Sequence, residues 1–387
     1  MAPAPLDRHV TVVERCEVSP SPARAAGQPC ALRLTFFDLA FWDFPPVQRL
    51  FFYDHHSTDS LLDVPGFLRQ ELPLFKQSLA AALHRFYPLA GRLAPELPAD
   101  APEVVCSDGD SVRLTIAVAA GSDDFQDLAG DHPRDTARLR PLLPTLPKHA
   151  VFAVQVTVFP RAGICIGTTL HHAVADGSSY VHFVKTWAAI HRGKKVVDLA
   201  PPLFDRGVVR DDGGLREAFV RDHRALAAAG DGRMHDWDLS RRPPGAVVLA
   251  TFRFTDELLG RLGKRVEPET SARRCSPYAL ACGAAWAGIV HARGGNGSGA
   301  AHRFGFVTVA GSPKMGIYAA ADLGAPWGRP RKVEIVSVER TGALALAENL
   351  DGGGGIEVGV ALPRGEMDAF RAFFCDLVAT AAFRDRD

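Results

Sequence analysis

The sequence lacks the features that mark several classes of protein. No C-x-x-C pair occurs among its seven scattered cysteines, so neither a disulfide framework nor a zinc site is expected. No apolar run approaches the ~20 residues of a membrane span, and the first residues lack the apolar core of a secretory signal. We therefore expect reduced thiols in a cytosolic protein without membrane contact.

An excess of one charge is also missing. Lys+Arg and Asp+Glu number 44 each, which gives no reason to expect nucleic acid as a partner. The chain has no P-loop and no G-x-S-x-G elbow, and the glycine-rich residues 294–300 follow a helical pattern instead of a strand, which argues against a dinucleotide site. Any anionic substrate must be held by local charge.

What the chain does have is enough apolar sequence for two domains. It has 387 residues, of which 47% are hydrophobic, and domains commonly span about 100–200 residues. Strand and helix patterns alternate in both halves, which predicts the α/β class. We place an N-terminal domain at 1–191, a linker or crossover at 192–214 and a C-terminal domain at 215–387.

Two predicted strands lead to the most informative motif. Residues 151–159 alternate in polarity, and 164–170 form the partner strand across a turn. A helix should follow Gly177, with Ser178 or Ser179 as its N-cap. The aromatic segment 32–54 is interpreted as core. Further strands are predicted at 10–18, 248–254, 303–309 and 332–339, and further helices at 64–86, 215–229, 276–292 and 366–381.

The motif is HHAVADG at 171–177. A neutral imidazole at a strand end, with a pKa ordinarily near 6.5, suits proton abstraction from an alcohol, which makes His172 a candidate general base. Asp176 can bond to backbone or to an arginine and fix the loop, and Gly177 permits the turn into the helix. The alternative is a capped helix start with two incidental histidines, but the full pattern is much rarer than a bare H-x-x-x-D. A metal is not expected, because His182 has no H-E-x-x-H or cysteine companion.

This motif and its surroundings resemble the BAHD acyltransferases of plants, within the coenzyme A-dependent acyltransferases. HHAVADG matches the family's first motif. The second, D-F-G-W-G, appears here lengthened by two residues, with leucine in place of phenylalanine, as DLGAPWG at 322–328. The segments 35–54, 82–93 and 309–314 are similar to the branch that acylates anthocyanins and phenolic glucosides, many of whose members use malonyl-CoA.

The resemblance implies a two-domain fold of the chloramphenicol acetyltransferase type, with mixed sheets, helices and a channel between the domains. It makes His172 the general base and Asp176 a structural residue turned away from the substrate. Acyl-CoA is then a co-substrate, and the second partner is a small molecule with an acceptor hydroxyl. No cofactor or metal is implied, and the protein is expected to be a monomer. The resemblance also makes Gly177 part of the structural motif. It implies that four residues of the second motif shape the C-terminal domain: Asp322, Gly324, Trp327 and Gly328. It further implies that Ser312 and Lys314 bind substrate.

One departure from the family is large. The chain passes directly from 304–308 to 309–313, where family members carry a long stretch with a Y-F-G-N-C-like segment. We therefore expect a C-terminal domain shortened near 308–310.

Two functions remain open. The first is transfer of an acyl group, malonyl favoured over acetyl or hydroxycinnamoyl, to a phenolic or flavonoid glycoside. The second is an impaired relative that retains only ligand binding. A condensation domain carries a similar HH-x-x-x-D-G, but the plant-type flanking motifs argue against it.

Overall fold

The computed structural model describes residues 10–23, 31–55, 62–93, 102–121, 123–228, 247–266, 274–294 and 307–383. The chain divides into two compact units, and each is made of several segments. The first unit comprises 1–126, 140–237 and 318–333; the second comprises 127–139, 238–317 and 334–387.

The strands and helices alternate along the chain. The strands are β1 (Val10–Val18), β2 (Ala31–Arg33), β3 (Val47–Asp54), β4 (Arg92–Leu93), β5 (Glu103–Val105), β6 (Val112–Ala119), β7 (Arg134–Asp135), β8 (Phe152–Phe159), β9 (Gly163–Leu170), β10 (Val247–Phe254), β11 (Val309–Gly311), β12 (Lys332–Ile335), β13 (Leu344–Glu348) and β14 (Ile356–Pro363). The helices are α1 (Phe36–Leu39), α2 (Val64–Gly66), α3 (Leu72–Arg85), α4 (Asp123–Leu128), α5 (Thr136–Leu139), α6 (Gly177–His191), α7 (Leu215–Ala228), α8 (Asp256–Val266), α9 (Pro277–Ala292), α10 (Ile317–Ala320), α11 (Val338–Thr341) and α12 (Arg364–Phe383).

The unit boundaries differ from the predicted ones at 191 and 215. Residues 127–139 belong to the second unit because β7 pairs with β10. Helix α7 stays with the first unit because it packs on α1, and residues 318–333 return to that unit. Such exchanges leave no mark in local composition, so sequence patterns alone place the boundaries wrongly.

A mixed six-stranded sheet in the order β1-β6-β8-β9-β3-β12 forms the centre of the first unit. Strands β8 and β9 pair antiparallel, and every residue of both is buried. Glycine at position 167 is needed for this packing, because a Cβ there would lie 2.1 Å from the carbonyl oxygen of Leu142. The hairpin therefore fixes the place where β9 ends and the HHAVADG motif begins.

Helices α3 and α6 pack against each other in the first unit. The Trp187 indole of α6 donates to the Ser78 hydroxyl of α3 at 3.1 Å. The predicted helix 64–86 is helical from α2 to α3, with a π-helical turn between them at Phe67–Glu71. The N-cap of α6 is Asp176, not Ser178 or Ser179, because its side chain reaches the Ser179 main-chain N–H.

The second unit contains a five-stranded sheet in the order β11-β13-β14-β10-β7. Its core joins residues of that sheet to α8, α9 and α12, including Met367 and Phe370. A fully buried ion pair links Arg134 and Glu334 at 2.5 Å.

Two strand predictions need correction here. The predicted strand 332–339 ends at Ile335, because the chain turns at Val336–Ser337 into the short helix α11. The predicted strand 303–309 lies mostly outside the described residues; the strand that is described, β11, is an edge strand parallel to β13. Strand β13 was not predicted, because its leucine, alanine and glutamate residues favour helix over strand.

Candidate active site

The HHAVADG segment begins where β9 leaves the sheet. The His171 main-chain N–H still donates to the Val151 carbonyl at 2.8 Å, and Val174 N–H then donates to the His171 carbonyl at 3.1 Å. The His171 ring accepts from the Ala173 N–H at 3.3 Å. The chain therefore makes a tight turn that presents His172 before α6 starts at Gly177.

The His172 ring packs between aromatic side chains of the segment that follows α1. Phe41 stacks on it with ring centroids 3.9 Å apart and an angle of 15° between the planes. Phe44 meets it edge-on at 5.5 Å. These two residues were interpreted only as core, although they follow the four-residue helix α1, which begins with a Thr35–Asp38 capping box. Aromatic residues just beyond so short a helix are the signal that could have identified them.

The environment of His172 keeps its imidazole neutral. Burial is the main cause that lowers its pKa below 6.5; its own main chain raises it, the Arg49 charge lowers it further, and Asp176 raises it. Its Nδ1 is buried and has no hydrogen-bond partner on another described residue. Burial likewise lowers the pKa of His171, to about 4. Both rings are thus uncharged at neutral pH.

A buried arginine on β3 lies near this histidine. Arg49 is 6% exposed, and its guanidinium carbon lies 4.6 Å from the centroid of the Tyr180 ring. The Tyr180 hydroxyl in turn shares a 2.7 Å hydrogen bond with Thr168 on β9. The Nε of Arg49 has no hydrogen-bond partner among the described residues. The cation is therefore held by a ring face instead of by a carboxylate.

Asp176 is an exposed side chain at the start of α6. Its Oδ1 accepts from the Ser179 N–H at 2.8 Å, which satisfies one of the free N–H groups of the first turn. Its contact with His172 is electrostatic only. Gly177 is the first residue of the helix.

The second motif forms a compact turn in the first unit. Asp322 accepts from the Gly324 N–H at 2.9 Å, and the Leu323 N–H donates to the Gly328 carbonyl at 2.9 Å. Gly324 has φ +72°, and a Cβ there would lie 2.8 Å from the Arg192 side chain. Gly328 also has a positive φ of 65°.

Trp327 anchors this turn. Its ring is fully buried near Phe67 and Phe75, and its indole N–H donates to Glu71 at 3.1 Å. The motif was expected to shape the C-terminal domain. Its contacts instead belong to the first unit, because the indole fills the space beside the π-helical turn.

Ser312 and Lys314 lie in the second unit, directly after β11. The Ser312 hydroxyl accepts from the Lys314 N–H at 3.3 Å and caps a single 3₁₀ turn. The Lys314 side chain is exposed. They are thus in a different unit from His172, and their predicted contact with substrate stays a prediction.

Within the described ranges, no group of three or more His, Cys, Asp or Glu side chains is placed to hold a metal ion. His182 instead contacts the Ala200 carbonyl at 3.1 Å.

Comparison with known sequences identifies the family. The sequence pattern of the Transferase family matches residues 8–224, more than half of the chain. The chain belongs to this family, the BAHD acyltransferases. The family prediction is thereby confirmed.

Proteins similar to this chain include several from plants. The chain is 29% identical to a malonyl-CoA:anthocyanidin 5-O-glucoside-6''-O-malonyltransferase of Arabidopsis thaliana, over 94% of this chain and 97% of that one. It is 30% identical to phenolic glucoside malonyltransferase 2 of the same plant, over 89% and 93%. The first alignment runs over 457 residues, whereas this chain has 387. The relative therefore carries residues that this chain lacks inside the aligned span.

Solved structures confirm the predicted fold class. Vinorine synthase superposes with a TM-score of 0.65 at 19% identity, over 95% of this chain and 98% of that one. TRI101 of F. graminearum, solved with coenzyme A and deoxynivalenol, gives 0.57 at 10% identity, over 89% and 97%. The condensation domain of the polyketide synthase MokA gives 0.50 at 10% identity, over 92% and 98%. The fold is thus shared with condensation domains, and it is the sequence that separates this chain from them.

Proposed function

We propose that this BAHD acyltransferase moves an acyl group, malonyl favoured, from a coenzyme A thioester to a hydroxyl of a phenolic or flavonoid glycoside. The observation that carries the proposal is the half-buried His172 at the end of β9, whose lowered pKa makes the imidazole a free base at neutral pH. The malonyl preference and the glycoside acceptor are supported by the names of the plant relatives.

In the proposed mechanism, His172 works through Nε2, since Nδ1 is its buried nitrogen. Nε2 takes the proton of the acceptor hydroxyl while the oxygen attacks the thioester carbonyl. The tetrahedral oxyanion collapses, the carbon–sulfur bond breaks, and the imidazolium returns its proton to the coenzyme A thiolate. The products are the ester and free coenzyme A, and His172 is neutral again.

The base needs an imidazole that is neutral before the reaction and charged during it. Burial and the Arg49 charge favour the neutral ring. Asp176, at the start of α6, is the acidic group whose charge favours the imidazolium. Phe41 covers one face of the ring and limits it to motion in its own plane. This arrangement supports a proton shuttle whose ring does not need to rotate.

We also propose that acyl-CoA is a co-substrate and that the protein needs no resident cofactor. We place the protein in the cytosol as a monomer. The helices that the structure describes include none long and apolar enough to cross a membrane. Asp322, Gly324, Trp327 and Gly328 are proposed to support the first unit without touching substrate.

A second candidate function is an impaired relative that binds ligand without turnover. The observation that favours it is the aligned length of 457 residues against a chain of 387. Loss of segments from the second unit would weaken coenzyme A binding without altering His172.

The test combines binding with turnover. The purified chain is titrated with coenzyme A by calorimetry, then incubated with malonyl-, acetyl- and coumaroyl-CoA against a panel of phenolic and flavonoid glucosides, with mass detection of products. A product heavier by one acyl group and an equal amount of free coenzyme A support the enzyme. Coenzyme A binding with no product from any pair supports the second candidate.

A further inference from the structure

Helix α7 holds the aromatic segment that packs on His172. Its buried residues Arg216, Val220 and His223 are spaced by four and three, so they form one face of the helix. Arg216 donates from Nε to the Leu34 carbonyl at 2.8 Å, at one end of this face. The other end is held by His223, which contacts the Leu39 main chain at the end of α1 and the Asp43 side chain beyond that helix.

Both ring nitrogens of His223 face acceptors. Nδ1 lies 2.9 Å from the Asp43 carboxylate, and Nε2 lies 3.0 Å from the Leu39 carbonyl. Neither a carbonyl nor an ionised carboxylate can donate, so both bonds exist only when both nitrogens carry a proton. His223 is 5% exposed, which limits water as a replacement partner. The geometry therefore describes a buried imidazolium.

We propose that His223 is a positioning residue for the acyl transfer, whose imidazolium fixes residues 39–43 to α7 and so keeps Phe41 against the His172 ring. The inference rests on the proposed function, since it concerns the same reaction. Phe41 is only two residues from each of the residues that His223 binds, because it lies between Leu39 and Asp43. Asp43 was not singled out by any sequence motif.

The charges around His223 favour its protonated form. The hydrogen bond to Asp43 raises its pKa above 6.5, burial opposes this, and the Leu39 carbonyl and the charges of Asp43 and Asp222 add to the rise. Asp43 also faces His171, which burial keeps neutral with a pKa of about 4. At the other end of the helix face the charged groups are Arg216 with Glu217.

The consequence is a loss of activity at high pH that does not come from His172. When His223 loses one proton, its single remaining N–H can serve only one of its two acceptors. The segment that carries Phe41 then loosens, and a displaced base costs roughly 10–100-fold in rate. The alkaline decline should therefore follow the protonation of a residue that never touches substrate.

The test is the pH profile of kcat for the wild type and three variants. His223→Gln should lower kcat roughly tenfold near neutral pH and remove the alkaline decline, because glutamine does not titrate. Asp43→Asn should move the decline to lower pH, since the charge that stabilises the imidazolium is gone. Arg216→Gln is the matched control: it removes the bond at the other end of the same helix face and should leave the position of the decline unchanged.

A second readout needs no turnover. Because the pKa of His223 is raised in the folded state, its protonation stabilises the fold. This stabilisation is fully present below the unfolded-state pKa and is lost as the pH rises through the folded-state pKa. The wild-type Tm should therefore contain a fall in that window that is missing in His223→Gln, even if the chain proves inactive with every acyl donor. An alkaline decline and a Tm profile that are the same in His223→Gln as in the wild type overturn the proposal. If that variant does not fold, an unmoved decline or Tm step in Asp43→Asn overturns it instead.

Discussion

At the scale of single residues, the environment of His172 decides what its ring can do. Phe41 limits the motion of the ring, burial removes water from it, and the Arg49 cation disfavours its charged form. Arg49 itself lies over the Tyr180 ring and has no carboxylate ion pair within the described ranges. A carboxylate partner would offset much of the arginine charge, whereas a ring face leaves this charge to lower the pKa of His172.

The pH profile tests this electrostatic account. The rate should fall as acid protonates His172, and because burial and Arg49 lower that pKa, the acid limb should lie below 6.5. In Arg49→Met the limb should move toward neutral pH, since one cause of the lowering is removed. Stopped assays of kcat against pH check both. An acid limb in the same place in both proteins would show that Arg49 does not act on the base.

Lys314 carries the prediction on donor choice. If its exposed ammonium pairs with a malonyl carboxylate, Lys314→Ala should lose about 0.2–1 kcal/mol of binding to malonyl-CoA, as a solvent-screened ion pair is worth, and little to acetyl-CoA. The KM for each donor measures this loss. The buried Lys332 is not substituted in this variant. An equal loss for both donors would assign Lys314 to the surface alone.

At the scale of elements, local pattern was enough for the most regular helices and strands, whereas β3 and β6 of the first unit were not predicted as strands. The β8–β9 hairpin and the closing helix α12 have strong alternation or a sustained apolar face, and both were predicted close to their observed bounds. The sequence could not reveal that Trp327 packs beside Glu71, 256 positions earlier. Nor could it show that Phe41 meets His172, because such contacts depend on how distant segments fold together.

The start of α6 offers a test at this scale. Asp176→Ala removes the side-chain acceptor of this cap and should cost about 1 kcal/mol of stability. Asp176→Asn, which can still accept, should cost less, and Ser178→Ala should cost least. Chemical denaturation with parallel rate measurements checks the order. Lost turnover in Asp176→Ala with unchanged stability would instead indicate a direct role in catalysis.

At the scale of the whole molecule, the family pattern covers the two units unequally. The family pattern covers residues 8–224, most of which belong to the first unit. The second unit contains β11, an edge strand of three residues at the point where the sequence was expected to be shortened. None of the three residues of β11 is buried, so a missing neighbour deprives this strand of sheet hydrogen bonds and cover instead of leaving buried main-chain groups unsatisfied.

Hydrogen exchange should show this difference. Amides of β11, an edge strand, are expected to exchange faster than those of β8 and β9, because β8 and β9 lie inside the six-stranded sheet. Coenzyme A binding should be weak, because the second unit is expected to be shortened near 308–310. Mass spectrometry of exchanged peptides, with a calorimetric titration, measures both. Uniform strong protection across 215–387 together with tight coenzyme A binding would show that the short chain is complete as an enzyme.

The central claim is that His172 removes the proton of the acceptor hydroxyl, and one comparison tests it most directly. Wild type and His172→Gln are assayed with malonyl-CoA and a phenolic glucoside, and the release of free coenzyme A and the mass of the product are followed together. The account predicts that the variant binds coenzyme A as the wild type does, unfolds at a similar Tm and loses at least 10²–10⁴-fold in kcat. A variant that keeps near-wild-type turnover would contradict the account.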